Sequence, residues 1–129
     1  MKKEAKFSKE VVEYLKSKGA VVNVNTATIY DRVGRSDIEA CYRGYFIALE
    51  LKTGNYAPDP LQIRYLQQVR DAGGHGLLLR DNLGDLYDLL QYLDQLDNRE
   101  YQGFDDIYYT YEQPELPDIA DDKLEVWYD

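Results

Sequence analysis

The segment IEACYRGYFIALELK, residues 38 to 52, reads as two β-strands joined by a tight turn. Two apolar runs flank Arg43-Gly44, and a two-residue connection of this kind suits a hairpin. The second run is apolar on both strand faces, which is typical of a central, covered strand. It nevertheless ends in a carboxylate and an ammonium, Glu50 and Lys52. A solvated face is the ordinary explanation of Glu-x-Lys, but charges at the end of a covered strand favour a functional site.

The turn also fixes which residues of the hairpin face each other. If Tyr42 faces Tyr45, counting along both strands places Asp37 opposite Glu50. Directly opposed side chains have Cβ atoms about 4.5–5.5 Å apart, and like charges at that separation are destabilising unless something neutralises them. Lys52 lies on the face of Glu50 because strand side chains repeat every two residues. Two carboxylates beside an ammonium suit the binding of Mg²⁺ and metal-dependent hydrolysis of phosphate esters.

Apolar periodicity and turn residues predict the elements around the hairpin. We expect Gly19 to cap the first helix, and Asp59 and Pro60 to begin the second as N-cap and first helical residue. His75, in a Gly-rich turn, is expected in a surface loop. The predicted elements are a helix over 3–18, a strand over 20–25, a loop over 26–35, hairpin strands over 38–42 and 45–51, a helix over 60–72, a strand over 77–79 and a helix over 83–93. This order predicts an α/β fold with a small mixed sheet flanked by helices.

Acidity is concentrated at the C-terminal end of the chain. The net charge is −9, but residues 1–93 carry 12 acidic and 13 basic residues, whereas residues 94–129 carry 12 acidic and two basic residues. The body is therefore compatible with a polyanionic partner such as nucleic acid. No apolar run approaches the length of about 20 residues that a membrane span needs, and the N-terminus lacks the apolar segment of a secretory signal. With Cys41 as the single cysteine, we expect a soluble protein of the reducing cytoplasm.

Three short motifs, in this order, resemble the PD-(D/E)XK nuclease superfamily. They are GRSD at residues 34–37, ELK at residues 50–52 and Gln62 at the start of the second helix. Over roughly residues 4 to 80 the sequence most resembles the VRR-NUC branch of small phage and bacterial nucleases. Ser36 stands where these proteins commonly have a proline. We interpret this as a change in turn chemistry, because the following aspartate is retained.

The resemblance implies a restriction-endonuclease-like fold and a Mg²⁺-dependent DNA endonuclease in which Mn²⁺ substitutes for Mg²⁺. It assigns Asp37, Glu50 and the main-chain carbonyl of Leu51 to the metal, and Lys52 to catalysis. It also implies Gln62 near the metal, although the same residue would serve as N3 of a capping box. Stand-alone members further imply branched or structured DNA as partner, such as a Holliday junction, together with a homodimer and a phage-encoded protein acting in the host cytoplasm. The same residues would also suit hydrolysis of RNA or nucleotides.

The resemblance further implies an acidic metal ligand from the first helix. Glu4, Glu10 and Glu13 are the candidates. At 100° per residue, Glu4 falls within the apolar arc of the helix, whereas Glu13 points away from it. Glu4 is therefore the predicted ligand. Its structural alternative is a helix N-terminal acid favoured by the macrodipole.

Composition divides the chain into a nuclease-like domain, residues 1–94, and an acidic, Tyr-rich extension, residues 95–129. The extension suits a basic partner, this protein's own DNA groove, a dimer contact or simple packing on the body. It also suggests an alternative function, a non-catalytic nuclease-fold interaction protein that uses its acidic tail as a DNA mimic or docking arm. The intact set of Asp37, Glu50 and Lys52 argues against that alternative and favours the nuclease.

Overall fold

The computed structural model of the chain describes residues 3–25, 36–102 and 111–119. Its elements are α1 (Lys3–Ser17), β1 (Val21–Val24), β2 (Ile38–Tyr42), β3 (Tyr45–Lys52), α2 (Pro60–Asp71), β4 (His75–Arg80) and α3 (Gly84–Gln102). The predicted order of elements and the mixed α/β class are confirmed. The loop predicted over residues 26–35 lies outside the described residues. None of the described helices is long and apolar enough to cross a membrane.

The four strands form one sheet in the order β1-β2-β3-β4. β2 pairs antiparallel with both β1 and β3, whereas β3 and β4 run parallel. The hairpin register is the predicted one, with Tyr42 opposite Tyr45 at the turn. The turn residues Arg43 and Gly44 both have positive φ, 52° and 86°. A two-residue turn that matches the twist of its strands requires this conformation at both positions.

Arg43 occupies a conformation that favours glycine, and contacts with Asp94 and Tyr42 hold its side chain. Its Nε donates a hydrogen bond to the carboxylate of Asp94 in α3 at 2.8 Å, and its guanidinium lies over the ring of Tyr42. The Tyr42 hydroxyl donates to the same carboxylate. These bonds tie the tip of the hairpin to α3 and offset the backbone cost of a non-glycine residue at this position.

Different helices cover the two faces of the sheet. α1 and α3 pack on what we call the first face, and α2 packs on the second face. The first-face core comprises Phe7, Val11, Leu15, Ile38, Ile47, Leu49, Leu51, Leu77, Leu79, Leu86, Leu89, Leu90 and Leu93, with smaller neighbours. The second-face core is smaller and comprises Ala48, Ile63, Leu66 and Val69, with Tyr65 and Leu78 at its margin. Cover on the second face is incomplete, because Cys41 and Phe46 near the hairpin turn are exposed.

α2 lies very close to β4 at Gly76. A Cβ atom built on Gly76 would lie only 2.6 Å from the carbonyl oxygen of Leu66 in α2. Any side chain there would push the helix away from the sheet, so glycine is required for the packing of Leu66 and Val69 on the second face. Arg70 strengthens the contact, because its Nε donates to the Gly76 carbonyl at 2.8 Å.

Two elements, α3 and β4, differ from the prediction by more than one residue at one end, and the other boundaries agree to within one residue. α3, predicted to end at residue 93, continues to Gln102, and Leu96 still packs against the first-face core. The division drawn at residue 94 therefore falls within this helix. His75, expected in a surface loop, begins β4, and its ring lies edge-on to Tyr45 at 5.9 Å. Pairing with β3 outweighs the loop preference of the glycines around it.

Residues 111–119, a described part of the acidic extension, lie on the body of the protein. Tyr111 stacks on Tyr92 of α3, with ring centroids 4.9 Å apart. Leu116 and Ile119 pack against the second-face core. Of the roles considered for the extension, packing on the body is the one that this segment adopts.

We expect Gly76→Ala to destabilise the protein by about 1–3 kcal/mol, because the new methyl group overlaps the main chain of Leu66. Urea unfolding followed by circular dichroism measures the change. The control is Gly84→Ala, where the added Cβ meets only the side chain of Asn82 and lies in a helix that favours alanine. Equal stability of the two variants would show that α2 can shift away from β4 without cost.

Candidate functional site

β3 delivers Glu50 and Lys52 to the second face of the sheet, the face that Ala48 also occupies. Glu50 is 1% exposed, and its Oε1 lies 3.4 Å from Lys52 Nζ. The Lys52 side chain is 19% exposed, so both members of the pair are largely withdrawn from water. Solvent and salt screen such a pair much less than they screen a surface pair.

Asp37 supplies the second carboxylate. It precedes β2, one step beyond the last paired residues of the hairpin, so strand pairing does not hold its backbone against β3. Its Oδ2 instead accepts a hydrogen bond from the main-chain N–H of Leu51 at 2.8 Å. This bond holds the Asp37 carboxylate against the end of β3, near enough to Glu50 to perturb it. Asp37 and Glu50 therefore lie close together, as the predicted hairpin register requires.

The surroundings of Glu50 favour its neutral form and leave one oxygen without a partner. Burial, and after it the Asp37 carboxylate, raises the pKa of Glu50 to about 8, against the opposing effect of the Lys52 ammonium. Within the described part of the chain, Glu50 Oε2 is buried and has no hydrogen-bond partner. A cation would relieve both the unpaired oxygen and the repulsion between the carboxylates. The two carboxylates and the Leu51 carbonyl are oxygen donors of the kind that Mg²⁺ prefers, so these residues fit a divalent metal.

The chain that follows Lys52 is fastened to the end of β4 through Asp81. Asp81 adopts a φ of 64°, and its main-chain N–H donates to the Lys52 carbonyl at 3.0 Å. Its carboxylate accepts from the N–H of Gly54 at 2.9 Å, and Arg80 Nη1 donates to the Gly54 carbonyl at 2.7 Å. These bonds fix the end of β3, and with it the positions of Glu50 and Lys52.

Gln62 lies half-buried in the first turn of α2. It is one turn before Tyr65, whose hydroxyl reaches Glu39 of β2, so both α2 residues are on the side of the helix that faces the sheet. Asp59 is the N-cap, as predicted, and its carboxylate accepts from the N–H of Leu61 at 2.9 Å. This places Gln62 on the same side of the sheet as the carboxylates.

Glu4 is exposed in the first turn of α1, before Phe7, the first buried residue of that helix. In the helix, Glu4 lies on the same side of α1 as Phe7, Val11 and Leu15, as the helical arc predicts. The buried core begins at Phe7, however, and does not extend to Glu4. Over residues 3–25, 36–102 and 111–119, no three acidic, histidine or cysteine side chains lie close enough together to hold one metal ion. The structure thus brings together Asp37, Glu50 and Lys52, and it does not bring Glu4 to them.

Three polar side chains that lie near Asp37, those of Asn25, Glu39 and Tyr65, were not predicted from the sequence as part of the site. Glu39 accepts hydrogen bonds from Asn25, which follows β1, and from Tyr65 in α2. The partners are 14 and 26 residues from Glu39 along the chain, so no short motif connects them. The available signal was the two-residue spacing of Asp37 and Glu39, which puts both carboxylates on one strand face.

Comparison with solved structures identifies the fold. A VRR_NUC domain matches with a TM-score of 0.58 and 23% sequence identity, over 71% of this chain and 98% of that domain. The chain therefore has a restriction-endonuclease-like fold. The fold predicted from the resemblance is confirmed. A Holliday junction resolvase, Hjc of Archaeoglobus fulgidus, matches with a TM-score of 0.47 and 15% identity, over 59% of this chain and 66% of that one. No protein-family model and no curated protein sequence matches this chain.

In EDTA, we expect the folded chain to lose stability as the pH rises from about 5 to about 8. The unfolded chain releases the Glu50 proton near pH 4.5, whereas the folded chain keeps it up to its pKa of about 8. The folded state therefore binds the extra proton in this window, and its stability falls by up to about 1.4 kcal/mol per pH unit. Urea unfolding at several pH values measures the slope.

The Glu50→Gln variant isolates this effect, because its amide does not titrate. We expect it to have a shallower pH slope than the wild-type protein and a higher stability near pH 8. Glu112→Gln, at an exposed position, should reproduce the wild-type slope. Equal slopes for the wild type and Glu50→Gln would mean that Glu50 is already ionised in the folded chain.

Proposed function

We propose that this chain is a metal-dependent DNA endonuclease that hydrolyses phosphodiester bonds. The observation that carries the proposal is the buried Glu50, which has an unpaired oxygen and lies beside Asp37 and Lys52 on a nuclease fold. A purely structural site would not gain from two neighbouring carboxylates at the end of a covered strand, because their repulsion costs stability. That cost is understandable where a cation is bound during function.

Asp37, Glu50 and the main-chain carbonyl of Leu51 would hold Mg²⁺, with Mn²⁺ as a substitute. The metal would lower the pKa of a bound water and stabilise charge on the phosphate. Lys52, fixed by its pairing with Glu50, presents an ammonium that orients the attacking water or offsets charge that develops on the phosphate. Gln62 supports the site from the first turn of α2.

DNA is the proposed substrate, and the resemblance to stand-alone VRR-NUC nucleases supports branched DNA, such as a Holliday junction, and a homodimer with two sites. The charges of the described chain suit contact with phosphates rather than with base edges. α1 carries exposed lysines at positions 3, 6, 9 and 16, and lysines of this kind bind the DNA backbone independently of sequence. Selectivity for the structure of the DNA is therefore proposed in preference to selectivity for its sequence.

The test is cleavage of labelled duplex, single-stranded, flap and four-way-junction DNA in Mg²⁺, Mn²⁺ or EDTA. We expect metal-dependent cutting that falls about 100-fold or more in Lys52→Met, which keeps the aliphatic stem but loses the ammonium. The control is Lys18→Met. The Lys18 ammonium that this variant loses lies 3.8 Å from Asp94 of α3, not beside Glu50. A folded wild-type protein that binds metal and cuts none of these substrates would favour the non-catalytic interaction protein.

From the resemblance we also propose that Glu4 joins the metal site when metal and DNA are bound. Glu4→Gln should then raise the Mg²⁺ concentration for half-maximal cleavage by about tenfold, since a charged ligand is lost. Glu13→Gln is the matched control, because Glu13 is an exposed acid of the same helix that points away from the apolar arc. The same Mg²⁺ requirement in both variants would remove Glu4 from the site and leave the other residues in place.

A further inference from the structure

Asn25, Glu39 and Tyr65 form a hydrogen-bonded network next to Asp37. Glu39 Oε1 accepts from Asn25 Nδ2 at 3.0 Å, and Glu39 Oε2 accepts from the Tyr65 hydroxyl at 2.7 Å. Each carboxylate oxygen therefore has a donor, in contrast to Glu50. The network joins the end of β1, the start of β2 and the middle of α2.

Asn25 also binds the main-chain carbonyls on both sides of Asp37, that of Ser36 before it and its own. Its Nδ2 donates to the carbonyl of Ser36 at 2.6 Å, and its main-chain N–H donates to the carbonyl of Asp37 at 2.8 Å. Strand pairing between β2 and β3 stops at Ile38, so Asp37 lies outside that ladder. Asp37 is instead held by a side-chain bond from Asn25 to the preceding carbonyl, by the main-chain bond from Asn25 to its own carbonyl, and by the bond of its carboxylate to the N–H of Leu51.

We propose that Asn25, Glu39 and Tyr65 are positioning residues that aim the Asp37 carboxylate at the metal. This inference rests on the proposed function. Glu39 fixes the side-chain amide of Asn25 through Oε1, and this amide in turn fixes the carbonyl of Ser36, which directly precedes Asp37. Tyr65 fixes the other oxygen of Glu39 from α2, the helix that also carries Gln62. A network of this kind sets the direction of Asp37 without contributing a metal ligand of its own.

The network makes a prediction that a general loss of packing does not. Tyr65→Phe removes the hydroxyl that donates to Glu39 Oε2. Glu39→Gln replaces that charge-assisted bond with a weaker neutral one, in which the amide N–H₂ donates to the hydroxyl oxygen. Either change alone disturbs the aim of Asp37. In the double variant Tyr65→Phe with Glu39→Gln, the amide oxygen still accepts from Asn25, and the charge-assisted bond between the two residues cannot be lost a second time. The double variant should therefore lose less than the two single losses combined.

The experiment measures the dissociation constant of Mn²⁺ by electron paramagnetic resonance in the absence of DNA, together with thermal unfolding in EDTA. We expect Asn25→Ala, Glu39→Gln and Tyr65→Phe each to raise the dissociation constant by about tenfold, the usual effect of losing a residue that orients a ligand. Gln68→Ala is the control, because Gln68 is an exposed amide of α2 outside the network. It should bind Mn²⁺ as the wild-type protein does.

The outcomes separate this inference from the proposed function. Wild-type affinity in folded Asn25→Ala and Tyr65→Phe overturns the network, whether or not the protein cuts DNA. Complete loss of Mn²⁺ binding in Glu39→Gln alone, with Asn25→Ala unaffected, also overturns the network, because Glu39 would then be a ligand.

A wild-type protein that binds Mn²⁺ with this network dependence and cuts no DNA supports the network and refutes the nuclease. If the wild-type protein binds no Mn²⁺, both are wrong. Tyr65→Phe removes a single oxygen, so it keeps the test valid if Asn25→Ala fails to fold.

Discussion

The burial of Glu50 at the end of β3 is the constraint on which the rest of the site depends. A carboxyl group in this position is costly to ionise, because it has lost its water and faces a second carboxylate. It cannot leave the position by a register slip. β3 pairs on both sides, and a shift of one residue would turn Glu50 towards the first-face core and its apolar neighbours Leu49 and Leu51 away from it. The packing of Leu49 and Leu51 in the first-face core therefore keeps the Glu50 carboxyl group buried, although solvation alone would favour its exposure.

The two faces of the sheet differ in the size of their hydrophobic cores, and the smaller core of the second face leaves room for a site. The first face has the larger core, which α1 and α3 fill with long aliphatic side chains. The second face has small residues where α2 crosses it, Ala48 in β3 and Gly76 in β4, and these let the helix lie close to the strands. Close packing of α2 on these residues fixes the helix, so that Gln62 in its first turn and Tyr65 one turn later face the polar end of the same face. Stability comes mainly from one face, and the proposed site lies on the other.

Short-range constraints made part of this arrangement predictable from the sequence. Arg43-Gly44 and strict alternation determine the hairpin register, and the register places Asp37 near Glu50 without knowledge of any other element. Contacts that depend on how elements pack were not predictable. The helical arc of α1 gave the direction of Glu4 but not where the core ends, and the reach of Tyr65 to Glu39 depends on how closely α2 approaches the sheet. Spacing along the chain reports geometry within an element or a tight turn, whereas packing between elements is decided by side-chain volumes over the whole core.

The acidic extension shows why composition alone misdescribes the charge of this protein. Residues 111–119 form no strand, since Pro114 and Pro117 lack the N–H donors of a ladder, yet Leu116 and Ile119 are packed on the second-face core. The acidic side chains of this segment are exposed and so belong to the surface of the folded body. A polyanion approaching the protein meets these charges together with the lysines of α1. At about 0.1 M salt, charges separated by more than about 10 Å scarcely influence one another, so attraction to DNA depends on the local charge near the contact and not on the net charge of −9. In the proposed nuclease, a bound cation would change that local charge most where Asp37 and Glu50 meet, and it would therefore favour the approach of a phosphate to these residues.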